Sequence, residues 1–248
     1  VPPRNFLTTS VLFLSLAALS GRTAVSAASS PESTVPLPVA PLSVAAWTSA
    51  GIGTLQRGIF EMALSAASCA VRSGEIADLS TLTVIDYSRP STEKRLWVFD
   101  VKRQALLYEE LVAHGSGSGE KLATAFSNAF NSHQSSLGLF RTTDETYVGK
   151  NGYSLRLHGL DAGFNDHAYD RAIVMHGAPY VSDEFARAQG RLGRSWGCPA
   201  LREGIAREVI DTVKGTGLVF AYYPDPAWLV ASKYLGDCGG APDLAAGL

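Results

Sequence analysis

Apolar residues recur at helical spacing in one early stretch of the chain and at strand spacing through most of the rest. The segment LQRGIFEMALSAASCAVRSG sets Leu55, Ile59, Met62, Ala66, Cys69 and Ala70 on one face of a helical period, and Gly74 stands where such a helix would stop. This predicts an amphipathic helix packed on a sheet. Three short runs follow, TLTVIDY, RLWVFDV and ALLYEELVAH, each rich in β-branched or aromatic residues and separated by turn formers such as Pro90 and the Lys102-Arg103 pair. They predict consecutive antiparallel strands.

Further strands are predicted at SLGLF, YSLRLHGL, AIVMHG and GLVFAYY, with polar or glycine-containing segments between them. The strong helix of the second half is ALREGIAREVIDTVKG. Its apolar residues Leu201, Ile205, Val209, Ile210 and Val213 lie along one face, and Gly215 is placed to end it in a left-handed cap. Strands outnumber helices, so the expected fold class is mostly β (α+β) with a few flanking helices. No internal repeat is visible.

Near the N-terminus, Arg4 precedes an apolar run from Val11 to Leu19, with small residues at Val25, Ala27 and Ala28. That order reads as a secretory signal peptide over residues 1–28, removed near Ala27 or Ala28. The run is shorter than the ~20 apolar residues a spanning helix needs, so no integral membrane segment is expected after removal. Residues 29–45, with Ser29, Pro31, Pro36, Pro38 and Pro41 and no apolar period, read as a flexible linker. Residues 46–248 are then expected to form a single domain.

A formal charge of -2, spread along the chain, gives no electrostatic footprint for nucleic acid or an anionic membrane. Three cysteines in an exported chain leave one over if a disulfide forms. The expected pair is Cys69 with Cys238, which leaves Cys198 to be explained. His133, His158 and His167 lack the tight spacing of a zinc site, and Gly115 to Gly119 lacks the phosphate-loop pattern because Glu120 precedes Lys121. No metal or cofactor is therefore expected. His114 ends a strand, as a cleft wall or as a structural hydrogen-bonding group.

Candidate chemistry concentrates in Gly193-Arg194-Ser195-Trp196-Gly197-Cys198-Pro199-Ala200. Proline is favoured at the first helical position, so Pro199 is expected to open the last strong helix and to set Cys198 at or beside its N-cap. A helix N-terminus lowers a thiol pKa and makes thiolate available near neutral pH. Gly197 permits close backbone approach, and the N–H groups around Gly197 and Cys198 are candidates for an oxyanion site. The candidate base is His176, which ends the apolar run Ala172-Ile173-Val174-Met175 and lies 22 positions before Cys198. A lone cysteine in an apolar setting is ordinarily an inert core residue; the export signal, the flanking glycine and the strand-end histidine argue for a nucleophile.

The segments HGAPY and GRSWGCPA resemble the histidine-glycine and Ser-x-Gly-Cys signature of the L,D-transpeptidases, specifically the murein L,D-transpeptidase catalytic-domain branch in which proline follows the cysteine. The resemblance runs from about Leu82 to Tyr223 and includes VAHGSGSG, FSNAFNSHQSSLGLF, YSLRLHGL and FNDHAYDRAIVMHG. It implies a β-sandwich or barrel catalytic domain working in the periplasm or cell wall on peptidoglycan stem peptides. Cys198 would attack a peptide carbonyl, His176 would take the thiol proton, and the Gly177 carbonyl would orient the imidazole. Ser195 and Gly197 would shape the oxyanion side, and the acyl group would pass from sulfur to an amine of a second stem.

The chain departs from the better-known branch at Trp196, where a histidine is usual, and an indole is neither base nor cation. Trp196, Arg194, Tyr153, Arg156 and Ser136 are the candidate substrate-binding residues, with Arg194 suited to a carboxylate. The same thiol chemistry with water as acceptor would give an L,D-carboxypeptidase. A non-catalytic peptidoglycan-binding module that uses Trp196 for recognition is the alternative from another class.

Overall fold

The computed structural model describes residues 42–236 and 238, so the predicted signal peptide and most of the predicted linker lie outside the described residues. At the end of the linker segment, Val44–Ala46 form a 3-10 turn, and Trp47 behind it is buried. Trp47, Phe60 and Phe99 then pack edge to face, with ring centroids 4.9 to 5.6 Å apart.

Helix α1, Arg57–Arg72, forms where the apolar spacing places it and buries Ile59, Phe60, Met62, Ala63, Leu64 and Cys69. Gly74, just past its end, has φ +75°, the left-handed conformation glycine accepts without strain. Cys69, near the helix end, is bonded to Cys238. The bridge spans 169 positions of sequence. A disulfide that constrains the unfolded chain in this way typically contributes about 2–4 kcal/mol of stability.

Three strands follow as consecutive antiparallel neighbours: β1 (Thr81–Asp86), β2 (Leu96–Asp100) and β3 (Ala105–Glu110). Every residue of β1 is buried, the polar Thr81, Thr83 and Asp86 included, so the strand is covered on both faces. The later strands are β4 (Gly138–Gly149), β5 (Gly152–Gly159), β6 (Val174–Ala178), β7 (Ala200–Arg202) and β8 (Gly217–Tyr222). They build one eight-stranded sheet in the order β3-β2-β1-β8-β4-β5-β6-β7. Its two ends approach each other, since the chain just after β3 bonds to β7 through the Ala113 N–H and the Ala200 carbonyl at 2.9 Å. The sheet is thus nearly closed, barrel-like and mostly β, as the strand count implied.

Strands β4 and β5 form a long hairpin whose tip is Lys150-Asn151, and their register shifts between Thr142 and Thr146. A bulge of this kind bends a hairpin and re-aims its tip. Helix α3, Glu203–Val213, buries Ala206, Val209, Ile210 and Val213, and Gly215 beyond it has φ +83°. It crosses β6 closely: a Cβ on Gly177 would stand 3.0 Å from the Ala206 Cβ.

One expectation fails here. The helix begins at Glu203 and not at Pro199, because Ala200–Arg202 extend as β7, parallel to β6. Pairing on both sides of Ala200 and an ion pair from the Arg202 Nε to Glu110 at 2.8 Å hold this segment extended. Two short helices complete the fold, α2 (Asp183–Gln189), capped by Ser182, and α4 (Pro226–Ala231), capped by Asp225. Among the described residues no helix is long and apolar enough to cross a membrane.

Candidate active site

Parallel pairing of β6 with β7 sets His176 opposite Ala200, two positions beyond Cys198. Both Cys198 and His176 line one cavity of about 470 Å³. Its remaining walls come from distant parts of the chain: Tyr147, Lys150 and Asn151 of the β4–β5 hairpin, Arg171 and Ala172 ahead of β6, Tyr180 after it, and Arg194, Ser195 and Trp196 of the cysteine loop.

Within this cavity the His176 Nδ1 lies 2.8 Å from the Gly177 carbonyl oxygen. A carbonyl can only accept, so Nδ1 carries the proton and the lone pair of the neutral ring is on Nε2. Burial pushes the imidazole below its ordinary pKa, against the pull of that carbonyl. The resting ring is therefore neutral, with Nε2 a base.

Cys198 is 8% exposed, and its sulfur lies 3.8 Å from the Ala172 carbonyl oxygen. Burial pushes the thiol above its ordinary range, opposed by a backbone N–H of Val174 and by the charge of Arg171. The expected helix N-terminus is absent from this position, since β7 separates Cys198 from α3. The thiol is consequently protonated at rest.

The turn around the sulfur is held from inside. Ser195 Oγ donates to the Cys198 carbonyl at 2.7 Å and accepts from the Gly197 N–H at 3.1 Å. Ser195 is therefore a brace, and the Gly197 N–H is spent on it and not on an oxyanion. Gly197 has φ +113°, and a Cβ there would stand 2.7 Å from the Gln134 carbonyl oxygen. Its need is internal clearance, where the sequence suggested approach to substrate. Ser135, buried below, accepts from the Gly115 N–H at 3.0 Å and donates to the Gly197 carbonyl at 3.2 Å.

The other predicted residues divide. Trp196 lines the cavity, is 72% exposed, and stacks on His133 with ring centroids 4.7 Å apart and planes 6° from parallel. Arg194 also lines it, but its guanidinium is held by Glu120 at 2.6 Å and the Gly119 carbonyl at 3.1 Å. Arg156 stands outside, its guanidinium over the rings of Tyr147 and Tyr169. Tyr153 leaves the site altogether: its hydroxyl meets Asp211 at 2.7 Å and its ring packs under Arg207. Ser136 is buried and bonds the Ser127 carbonyl.

Sequence reasoning passed over Arg171, whose donors pin the loop beneath the sulfur, and Tyr180, whose phenol burial pushes up to about 12. His114 resolves as structural. It is fully buried, its Nδ1 accepts from Arg95 at 2.7 Å, and burial beside that cation lowers its pKa to about 4.

No curated protein sequence matches the chain. Among solved structures it is similar to an L,D-transpeptidase from Mycobacterium smegmatis, at 14% identity over 58% of this chain and 59% of that one, with a TM-score of 0.36. It is similar also to L,D-transpeptidase 3 from Mycobacterium tuberculosis, at 12% identity over 58% and 60% with a TM-score of 0.36. An L,D-transpeptidase from Stackebrandtia nassauensis gives 13% over 67% and 68%, with a TM-score of 0.36. The chain thus spans about 59% of the length of the first of these structures. The model of the L,D-transpeptidase catalytic domain matches residues 52–222, well over half of the sequence, and the chain belongs to that family.

Proposed function

We propose that the chain is a peptidoglycan L,D-transpeptidase that carries its acyl intermediate as a thioester on Cys198. The observation that carries this reading is a single cavity lined by the free thiol and by an imidazole whose Nδ1 is tied to a backbone carbonyl. His176 Nε2 takes the thiol proton as sulfur attacks the carbonyl of a donor stem peptide. The backbone N–H of Cys198 is assigned the oxyanion, since that of Gly197 is engaged by Ser195. Collapse breaks the peptide C–N bond, and the imidazolium returns its proton to the departing amine. An amine of a second stem then attacks the thioester, gives its proton to His176, and releases the thiol with the cross-link formed.

Export fits this reading. The disulfide between Cys69 and Cys238, with the leader read at residues 1–28, supports work in the periplasm or cell wall, with a catalytic domain over 46–248 behind a linker at 29–45. Exposed Trp196 supplies a flat apolar wall on which a stem can lie.

Incubating the mature chain with disaccharide tetrapeptide and separating the products tests the proposal. Cross-linked dimers are expected, and Cys198→Ala should abolish them while circular dichroism and melting stay unchanged. His176→Ala should slow acylation by about 10²–10⁴-fold. Tripeptide alone would mark an L,D-carboxypeptidase, and no acyl adduct at all would mark a binding module.

A further inference from the structure

Three cations line the cavity, Lys150, Arg171 and Arg194, and no carboxylate does so among the described residues. Arg194 is paired with Glu120 at 2.6 Å, a carboxylate that also holds Arg191 at 2.8 Å, so two of the three have no acidic partner among the described residues. Arg171 ends its donors on neutral oxygens only: the Ser127 carbonyl at 2.7 Å, Ser136 Oγ at 2.6 Å, Ser132 Oγ at 3.1 Å and the Gln134 carbonyl at 2.8 Å. Its hydrogen bonds are satisfied and its charge is not. That charge is felt at the sulfur, where it favours thiolate against the effect of burial.

Lys150 stands on the two-residue tip of the β4–β5 hairpin, is exposed, and has no hydrogen-bond or ion-pair partner among the described residues. Its flexible stem can follow a ligand as a point charge. His176 and Tyr180, which also line the cavity, are neutral near pH 7 because burial disfavours their charged forms. Nothing on the cavity wall cancels the two positive charges, and a low-dielectric cleft focuses such a field on an incoming anion.

We infer that the cleft selects anionic acyl donors and that Lys150 is a specificity-determining residue, meeting a carboxylate close to the scissile bond while Arg171 biases the cavity floor toward negative charge. The favoured class is a peptide with that carboxylate free, over the same peptide with it amidated. This rests on the reading of Cys198 as the acyl-accepting thiol, and the test separates the two.

In the oxidised full chain Cys198 is the free thiol, and it can be alkylated by iodoacetate, an anion, or by iodoacetamide, its neutral analogue. Either reagent forms an S–C bond as the C–I bond breaks, iodide leaves, and the thiol proton passes to solvent. The ratio of the two rates, divided by the same ratio for the uncharged thiol N-acetylcysteine amide, cancels the intrinsic reactivities and reads the charge of the cleft. We expect a quotient of about 3 or more at low salt. It should fall toward 1 near 0.5 M salt, where the Debye length is roughly 4 Å.

Lys150→Gln should lower the quotient at low salt, and Lys150→Glu should lower it further. In parallel, Lys150→Gln should reduce kcat/KM for a donor with a free carboxylate more than for its amide, so the preference between the two narrows. A quotient of 1, or a raised one that both Lys150 variants leave in place, overturns the inference. Alkylation reads the field whether or not the chain transfers acyl groups, so loss of the transpeptidase reading shows in the product assay alone.

Discussion

His176 directs its Nδ1 at the carbonyl oxygen of Gly177, the next residue in the same strand, 2.8 Å away. The tautomer is therefore set by the backbone of β6, and among the described residues no carboxylate bonds the ring to stabilise an imidazolium. With the thiol pushed up and the imidazole pushed down by burial, the resting pair is neutral. Alkylation of Cys198 by iodoacetamide should accordingly show no thiolate plateau below pH 7 and should keep rising beyond the ordinary thiol value of 9.0. The acid limb of donor acylation should lie below the ordinary histidine value of 6.5. A reactivity plateau already complete at neutral pH would reveal an ion pair and contradict this account.

Gly197 should tolerate no side chain. Its φ of +113° is unfavourable for an L residue, and the added Cβ would press on the Gln134 carbonyl oxygen and on Ile173 Cδ1, 2.7 and 3.0 Å away. The same Gln134 carbonyl receives Arg171 at 2.8 Å, so the displacement passes to the cation beneath the sulfur. Gly197→Ala should cost about 1–3 kcal/mol in chemical denaturation. It should also slow acylation of Cys198 at least about tenfold, the effect of roughly 1.4 kcal/mol on a barrier. Wild-type values in both measurements would show that the turn adapts freely.

The parts of the fold that the sequence announces are those with a long periodic signal. Helix α1 buries a face that repeats at helical spacing, strands β1 to β3 are short runs rich in β-branched or aromatic residues, and all four form where the sequence pattern puts them. Strand β7 was hidden because Leu201 fits a helical period with Ile205, while only pairing to distant partners, Ala113 and β6, makes Ala200–Arg202 extended. Helix α2 buries none of its residues, so it has no amphipathic stripe, although Ser182 and Gly190 cap it as local rules require.

In the candidate site, Cys198, His176 and Trp196 were legible because motif order and spacing mark them. Lys150, Arg171 and Tyr180 were not, since a charged or phenolic loop residue carries no local sign of facing a cavity. Tyr153 and Ser136 misled for the same reason: their neighbours are set by sheet register and by loop crossing, which short-range patterns do not encode.

Native stability should fall as pH drops from 6.5 toward 4, in part through His114. The folded ring resists protonation until about pH 4 because it is buried and accepts a hydrogen bond from Arg95, whereas the unfolded ring protonates near 6.5. Between those values the unfolded state binds a proton that the native state refuses, so the equilibrium shifts toward unfolding as acid is added. A displacement from 6.5 to about 4 corresponds to roughly 3 kcal/mol from this group. His176 contributes in the same direction, its pKa being lowered as well. Replacing His114 by Asn keeps an acceptor for Arg95 and removes the titration. Urea midpoints of the two proteins from pH 7.5 to 4.5 should therefore converge as the pH falls, the wild type losing more stability than the variant. Parallel curves would mean that a proton reaches the native ring without penalty, and the buried Arg95–His114 contact would then not hold the imidazole neutral.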